Sequence, residues 1–245
     1  MTESEENDVL FNNLLYNYFF KGWQDGSSTY SVEFIIRRKC NLACKYCYYT
    51  NHGKELIPDE LDDADLAITN VELILHFLTT KNIYPKALSI FGGESVTHSQ
   101  YSRLFDILFN YCKDLEEDKV IGFPMNPIFL MNSQYFNMLV DRQRQFAEIG
   151  AHIHYSISTD GKYCDPVSRP ASNGANIYTE EYYSRVLEFA RLTSSAFHPM
   201  ISPENVAHWI ENLDWYLDYL KKLNMENPFS LLYLLEVRND NWSHK

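Results

Sequence analysis

Apolar and polar positions alternate along this chain in two periods, and the two periods take turns. Val32 to Arg37 is a run of β-branched and aromatic residues and reads as a strand. In Asp62 to Thr80, Ala64, Ile68, Val71, Ile74, Leu75 and Leu78 recur near the helical period, and Asp62, Asp63 and Asp65 suit the N-terminal end. Lys86 to Phe91 reads as a second strand ended by Gly92-Gly93, and Ser99 to Asp114 as a second helix. Pro127 to Met131 is taken as the third strand, with a third helix from Ser133 to Ile149 stopped by Gly150. His152 to Ser158 is the fourth strand, Glu180 to Ser194 the fourth helix and Phe197 to Ile201 the fifth strand. A fifth helix is expected from Ser202, placed to cap it with Pro203 at its first position, to Leu223. Ser230 to Val237 is the sixth strand.

Strand–helix units repeated in this way argue for parallel strands joined by helical crossovers, in a barrel, a part-barrel or a doubly wound sheet. The long irregular segments Asn51 to Leu61 and Gly161 to Thr179 each follow a strand. They are expected over the C-terminal ends of the strands, where such folds carry their chemistry. Residues 1–30, acidic first and then aromatic, form an N-terminal arm before a single domain at 31–245.

Composition narrows the function. A chain of 245 residues can bury a sizeable core. Its net charge of −12 excludes a general nucleic-acid binder, which needs a basic surface, but leaves a basic peptide open. No apolar run approaches the roughly 20 residues that span a bilayer, and Met1 to Asp8 lacks the basic start of a secretory signal. Clustered rather than paired cysteines suit a reducing compartment, so a cytoplasmic protein is expected.

Three of the five cysteines, Cys40, Cys44 and Cys47, stand directly after the first strand. Their number is odd, so they cannot all form disulfides with one another. With His52 they would complete a tetrahedral Cys3His zinc site and make the chain a zinc-stabilised binding protein. Alternatively, the thiolates would hold a [4Fe–4S] cluster and leave one iron open to a substrate or cofactor.

The spacing Cys40-x3-Cys44-x2-Cys47, with Tyr46 before the last cysteine, resembles the signature of the radical S-adenosylmethionine superfamily. That resemblance implies a partial (β/α)6 barrel with Cys40, Cys44 and Cys47 as cluster ligands. It implies S-adenosylmethionine on the open iron, cleaved to a 5′-deoxyadenosyl radical that takes hydrogen from a substrate. Gly92-Gly93-Glu94 resembles the family segment that binds the methionyl amine; glycines admit close approach and a carboxylate suits an ammonium. Met131-Asn132-Ser133 partly resembles a Thr-Asn-Gly segment, so Asn132 is a candidate, although it would equally cap the helix that follows.

Ser156-Ile157-Ser158-Thr159-Asp160-Gly161 resembles the Ser-Ile-Asp-Gly of relatives that modify peptides and proteins. Ser156 and Ser158 become candidates for the ribose or methionyl carboxylate, and Asp160 for the substrate end or a loop cap. Asp165, Arg169 and Gly174 resemble the loop that follows, where Arg169 would pair with a carboxylate or form a surface salt bridge. Tyr46 would pack near the adenine, and His198-Pro199 and Asn205 would face the pocket. Cys164, read as exposed in that loop, would be a hydrogen-atom donor or a small apolar side chain; Cys112 falls on a helix.

The implied substrate is a peptide or protein side chain, with a small metabolite as the alternative, and the implied electron donor is a flavodoxin or ferredoxin. No cysteine follows Cys164. The auxiliary-cluster extension of the peptide-modifying relatives is therefore expected to be absent or truncated.

Overall fold

A computed structural model describes residues 31–47, 62–85, 87–94, 101–115, 119–222 and 235–236. Its centre is a five-stranded sheet: β1 (Ser31–Arg37), β2 (Ala87–Gly92), β3 (Lys119–Met125), β4 (Ala151–Ile157) and β5 (Ala196–Phe197). Every pairing is parallel and the spatial order is the sequence order. A sheet whose order never reverses is singly wound, which removes the doubly wound alternative and leaves the part-barrel.

Between the strands run α1 (Ala64–Thr80), α2 (Tyr101–Lys113), α3 (Ser133–Glu148), a one-turn α4 (Asp165–Ser168), α5 (Glu180–Thr193) and α6 (Trp209–Lys221). Asp63 caps α1, accepting from the amides of Asp65 and Leu66, and Thr179 caps α5. The helices bury their apolar stripes on one face of the sheet, against Ile36, Ile90, Ile121, Phe123, Ile153, Tyr155 and Ile157. The Tyr155 hydroxyl donates to the Leu139 carbonyl of α3, which fixes that face as the helix side. Alternation turns Glu33, Val120, His152 and His154 to the other face, where they are exposed.

The third strand is Lys119–Met125 rather than Pro127–Met131, which is a turn of 3-10 helix capped by the Asn126 side chain. Gly122 and Pro124 hide this strand in the sequence. Pairing with β2 is recorded only as far as Gly122, so beyond it the missing N–H of Pro124 costs no bond on that side. The expected fifth strand is split at His198-Pro199 into β5 and β6 (Met200–Ile201). The expected fifth helix starts late. The Ser202 carbonyl accepts from the amides of Asn205 and Val206 in a turn, a 3-10 segment follows at Val206–His208, and α6 begins at Trp209. Of the expected sixth strand, Leu235–Glu236 (β7) is described and pairs in parallel with β6.

Candidate active site

The cysteine loop leaves the end of β1 and is gripped on two sides. On the β2 side the contact is main chain to main chain. The amide of Gly93 donates to the Arg37 carbonyl at 2.6 Å and that of Glu94 to the Lys39 carbonyl at 2.9 Å. A Cβ on Gly92 would lie under 3.0 Å from the Arg37 carbonyl oxygen, and one on Gly93 under 3.0 Å from those of Arg38 and Lys39. Gly92 also holds φ +136°, which side chains rarely adopt. The two glycines thus let the end of β2 press on the start of the cysteine loop.

On the β4 side the loop lies antiparallel to residues 168–172. Lys45 and Ala43 donate to the carbonyls of Ser168 and Pro170, and the amide of Ser172 donates to that of Asn41. Leu42 and Ala171 form the bridge between them and are both buried.

Cys40, Cys44 and Cys47 are half-buried within this grip. The Cys40 sulfur accepts the Leu42 amide at 3.4 Å and the Asn126 side-chain amide at 3.5 Å. Burial pushes the Cys40 thiol up to about 11 and the Cys44 thiol to about 12, while Arg169 pulls both down. Thiols held this far from ionisation become thiolates when a cation binds them, and N–H donors already aimed at a sulfur suit that state. The donor set therefore fits thiolate ligation of a metal cluster. Among the described residues no three His, Cys, Asp or Glu side chains close around a single ion as they stand. His52, the fourth ligand of the zinc alternative, lies outside the described residues.

Around the loop the sequence candidates divide. Glu94 is buried at 1% exposure, and its carboxylate accepts the Asn126 amide at 2.8 Å. Arg169 is buried too, with its guanidinium carbon 5.5 Å from the Tyr46 ring centre. Its Nε lies 3.1 Å from an Asp160 oxygen, an ion pair not aligned as a hydrogen bond. The pairing corrects the surface-bridge alternative, because Asp160 is fully buried. Ser156, at the C-terminal end of β4, faces away from the helices. Ser158 lies past the strand end, its amide donating to the Met125 carbonyl. Asn132 is apart from this group: it is exposed and caps α3, accepting from the amide of Gln134.

The asparagine at the end of the third strand is Asn126. Its side chain donates to Cys40 and to the Asn41 side chain, at 2.8 Å for the latter. Sequence reasoning passed over it because the strand before it was misplaced; the alternation of Ile121, Phe123 and Met125 was the available signal. Cys164 is fully buried rather than exposed, its sulfur directed at the Asn205 carbonyl, so it stands as a small packed side chain. Asn205 is buried and ties Ser202, Met200 and Trp209 together, while Gly174 is exposed at φ +74°. His198 is half-buried, and burial, with His154 nearby, holds its imidazole below the ordinary value.

No family model and no curated protein matches the sequence. Solved structures do match. The chain is similar to anSMEcpe with bound AdoMet at 16% identity and TM-score 0.55, covering 88% of this chain and 53% of that one. The same figures hold for anSMEcpe with AdoMet and the Kp18Cys peptide. Similarity to Streptococcus suis SuiB bound to precursor peptide SuiA is 11% in identity with TM-score 0.56, over 84% of this chain and 39% of that one. The chain has the radical S-adenosylmethionine fold. It spans about half the length of anSMEcpe and less of SuiB. No helix of the described residues is long and apolar enough to cross a membrane.

Proposed function

We propose that the chain is a radical S-adenosylmethionine enzyme that acts on a peptide or protein side chain. One observation carries this reading: three thiols stand on one loop at the C-terminal end of β1, gripped from β2 and β4, in that fold. Cys40, Cys44 and Cys47 would hold a [4Fe–4S] cluster. When bound, it supplies the electron that cleaves S-adenosylmethionine to methionine and a 5′-deoxyadenosyl radical, with a flavodoxin or ferredoxin as the source.

The chain's own residues bind and orient. The Glu94 carboxylate and the main chain of Gly92-Gly93 would take the methionyl ammonium. Arg169 and Ser156, with Ser158 beside them, would take the carboxylate, and Tyr46 would border the adenine. Substrate would enter over the sheet face turned away from the helices. There Glu33, Ser89, Gly122 and His154 share one row of the register, about 7 Å below the level of Ser156. A peptide is favoured because SuiB and anSMEcpe hold peptides in their structures, and because the acidic chain suits a basic partner. Cysteines of this kind belong in a reducing compartment, hence the cytoplasm.

Anaerobic reconstitution tests the reading. The expected result is about four irons and four sulfides per chain, and 5′-deoxyadenosine on adding S-adenosylmethionine with a strong reductant. Cys40→Ala, Cys44→Ala and Cys47→Ala each lose both. Zinc retained without sulfide, or cleavage surviving in these variants, overturns it.

A further inference from the structure

Asp160 was read from sequence as a substrate-end group or a loop cap, yet it touches the cysteine loop directly. The Tyr46 hydroxyl donates to both of its oxygens, at 3.0 and 2.7 Å. Ser168 donates to it at 2.5 Å from α4, and the Met200 amide at 2.9 Å from β6. The Asn205 side chain reaches it at 3.4 Å, and Arg169 Nε stands 3.1 Å away. Its own main chain is equally fixed: the amide donates to Asp165 at 2.6 Å, and the carbonyl accepts from Asn212 of α6 at 2.5 Å.

We infer that Asp160 is a positioning residue, which through Tyr46 locks the cysteine loop and through Nε aims the Arg169 guanidinium at it. Tyr46 lies between Cys44 and Cys47, so fixing its ring fixes the turn that presents both sulfurs. Nε is the nitrogen of Arg169 nearest to both carboxylates, 3.1 Å from Asp160 and 3.9 Å from Asp165. The two terminal nitrogens make no hydrogen bond among the described residues. They are left for a ligand, and their charge is felt at Cys40 and Cys44. One buried carboxylate therefore couples the place where a cluster would sit to the cation that would meet a carboxylate. Coupling of this kind is reciprocal: whatever orders one partner orders the other.

This inference rests on the reading above only in its second part, so the experiment has two arms. In reduced, cluster-free protein, maleimide labelling is timed at each cysteine by peptide mapping, with the buried Cys112 as internal reference. Tyr46→Phe removes a single hydroxyl. It is expected to speed labelling of Cys40, Cys44 and Cys47 about tenfold, the size of one charge-assisted hydrogen bond, while Cys112 stays slow. Unchanged rates at the three loop cysteines overturn the inference. So does an equal rise at Cys112, because the hydroxyl would then support the whole domain and not the loop.

In the reconstituted protein, Asp160→Asn and Tyr46→Phe are each expected to weaken S-adenosylmethionine binding about tenfold at unchanged iron content. Native affinity in both overturns the link to Arg169. A wild-type chain that takes up no iron and sulfide sinks the enzyme reading instead, and the labelling arm still decides on Asp160.

Discussion

The cysteine loop is held on its β2 side by main chain alone and on its β4 side by main chain together with buried charge, and the two holds differ in kind. At Gly92-Gly93 there is no side chain to adjust; the fit is steric. At Asp160 and Arg169 the hold is a set of hydrogen bonds and two ion pairs, each of which can be weakened alone. A steric hold is all or nothing, whereas a charged network is graded. The β2 side therefore determines whether the loop forms, and the β4 side determines how its sulfurs and the facing arginine are set.

The largest expected effect comes from the steric side. In Gly93→Ala the new methyl meets two carbonyl oxygens of the Arg38–Lys39 segment, and those oxygens belong to backbone that cannot swing aside. A loss of more than about 3 kcal/mol is expected, seen in denaturant unfolding. Gly174→Ala makes the contrasting control, since a Cβ there meets nothing within 4 Å and only the φ of +74°, which Gly93 lacks, resists it. Gly93 itself holds no left-handed φ, so a loss at Gly93→Ala no larger than that at Gly174→Ala would mean that the clash is relieved and the β2 hold is not steric.

These two holds were not equally legible in the sequence. The cysteine spacing, Gly92-Gly93-Glu94 and the alternation of β1, β2 and β4 stood out because each is local. The network around Asp160 was not readable, since Tyr46 and Met200 are 114 and 40 residues away from it along the chain. The third strand failed for a different reason. Gly122 and Pro124 weaken any strand reading, yet Pro124 is tolerated where pairing with β2 has ended. That one misplacement carried the asparagine assignment from Asn126 to Asn132.

The two asparagines give the next largest effect, and they test whether β3 belongs to the hold. Asn126→Ala removes the donor to Cys40 and Asn41 and the cap of the 3-10 turn, all at 5% exposure. A loss of about 2 kcal/mol is expected, with poorer cluster retention after reconstitution. Asn132→Ala removes only an exposed cap of α3 and should cost about 1 kcal/mol, with cluster content unchanged. If Asn132→Ala also lowered iron content, the assignment of the strand-end role to Asn126 would fail.

The smallest effect is a pH dependence confined to the charged side. Asp165 accepts from Thr159 Oγ1 and the Asp160 amide, each at 2.6 Å, and from the Tyr183 hydroxyl at 3.1 Å. Burial, and the Asp160 carboxylate next to it, nevertheless raise it from 3.8 to about 7, against the pull of Arg169 and of the Thr159 and Asp160 donors. A carboxyl raised in the folded state binds a proton there that the unfolded chain has already released. Its contribution to stability therefore falls as pH rises from about 4 through 7 and is flat above. Between pH 6 and pH 8 the expected loss is about 1 kcal/mol. His198 works in the opposite direction: held low by burial, it binds fewer protons when folded, so its contribution rises as pH climbs to its unfolded value and is flat above. The total slope mixes the two, and the variant separates them. Asp165→Asn keeps the shape but cannot ionise. Urea unfolding of wild type and Asp165→Asn at pH 6 and pH 8 should show the variant gaining on the wild type as pH rises, by that same amount. If the difference between the two chains does not change with pH, Asp165 is ionised throughout, and the charged hold is as fixed as the steric one.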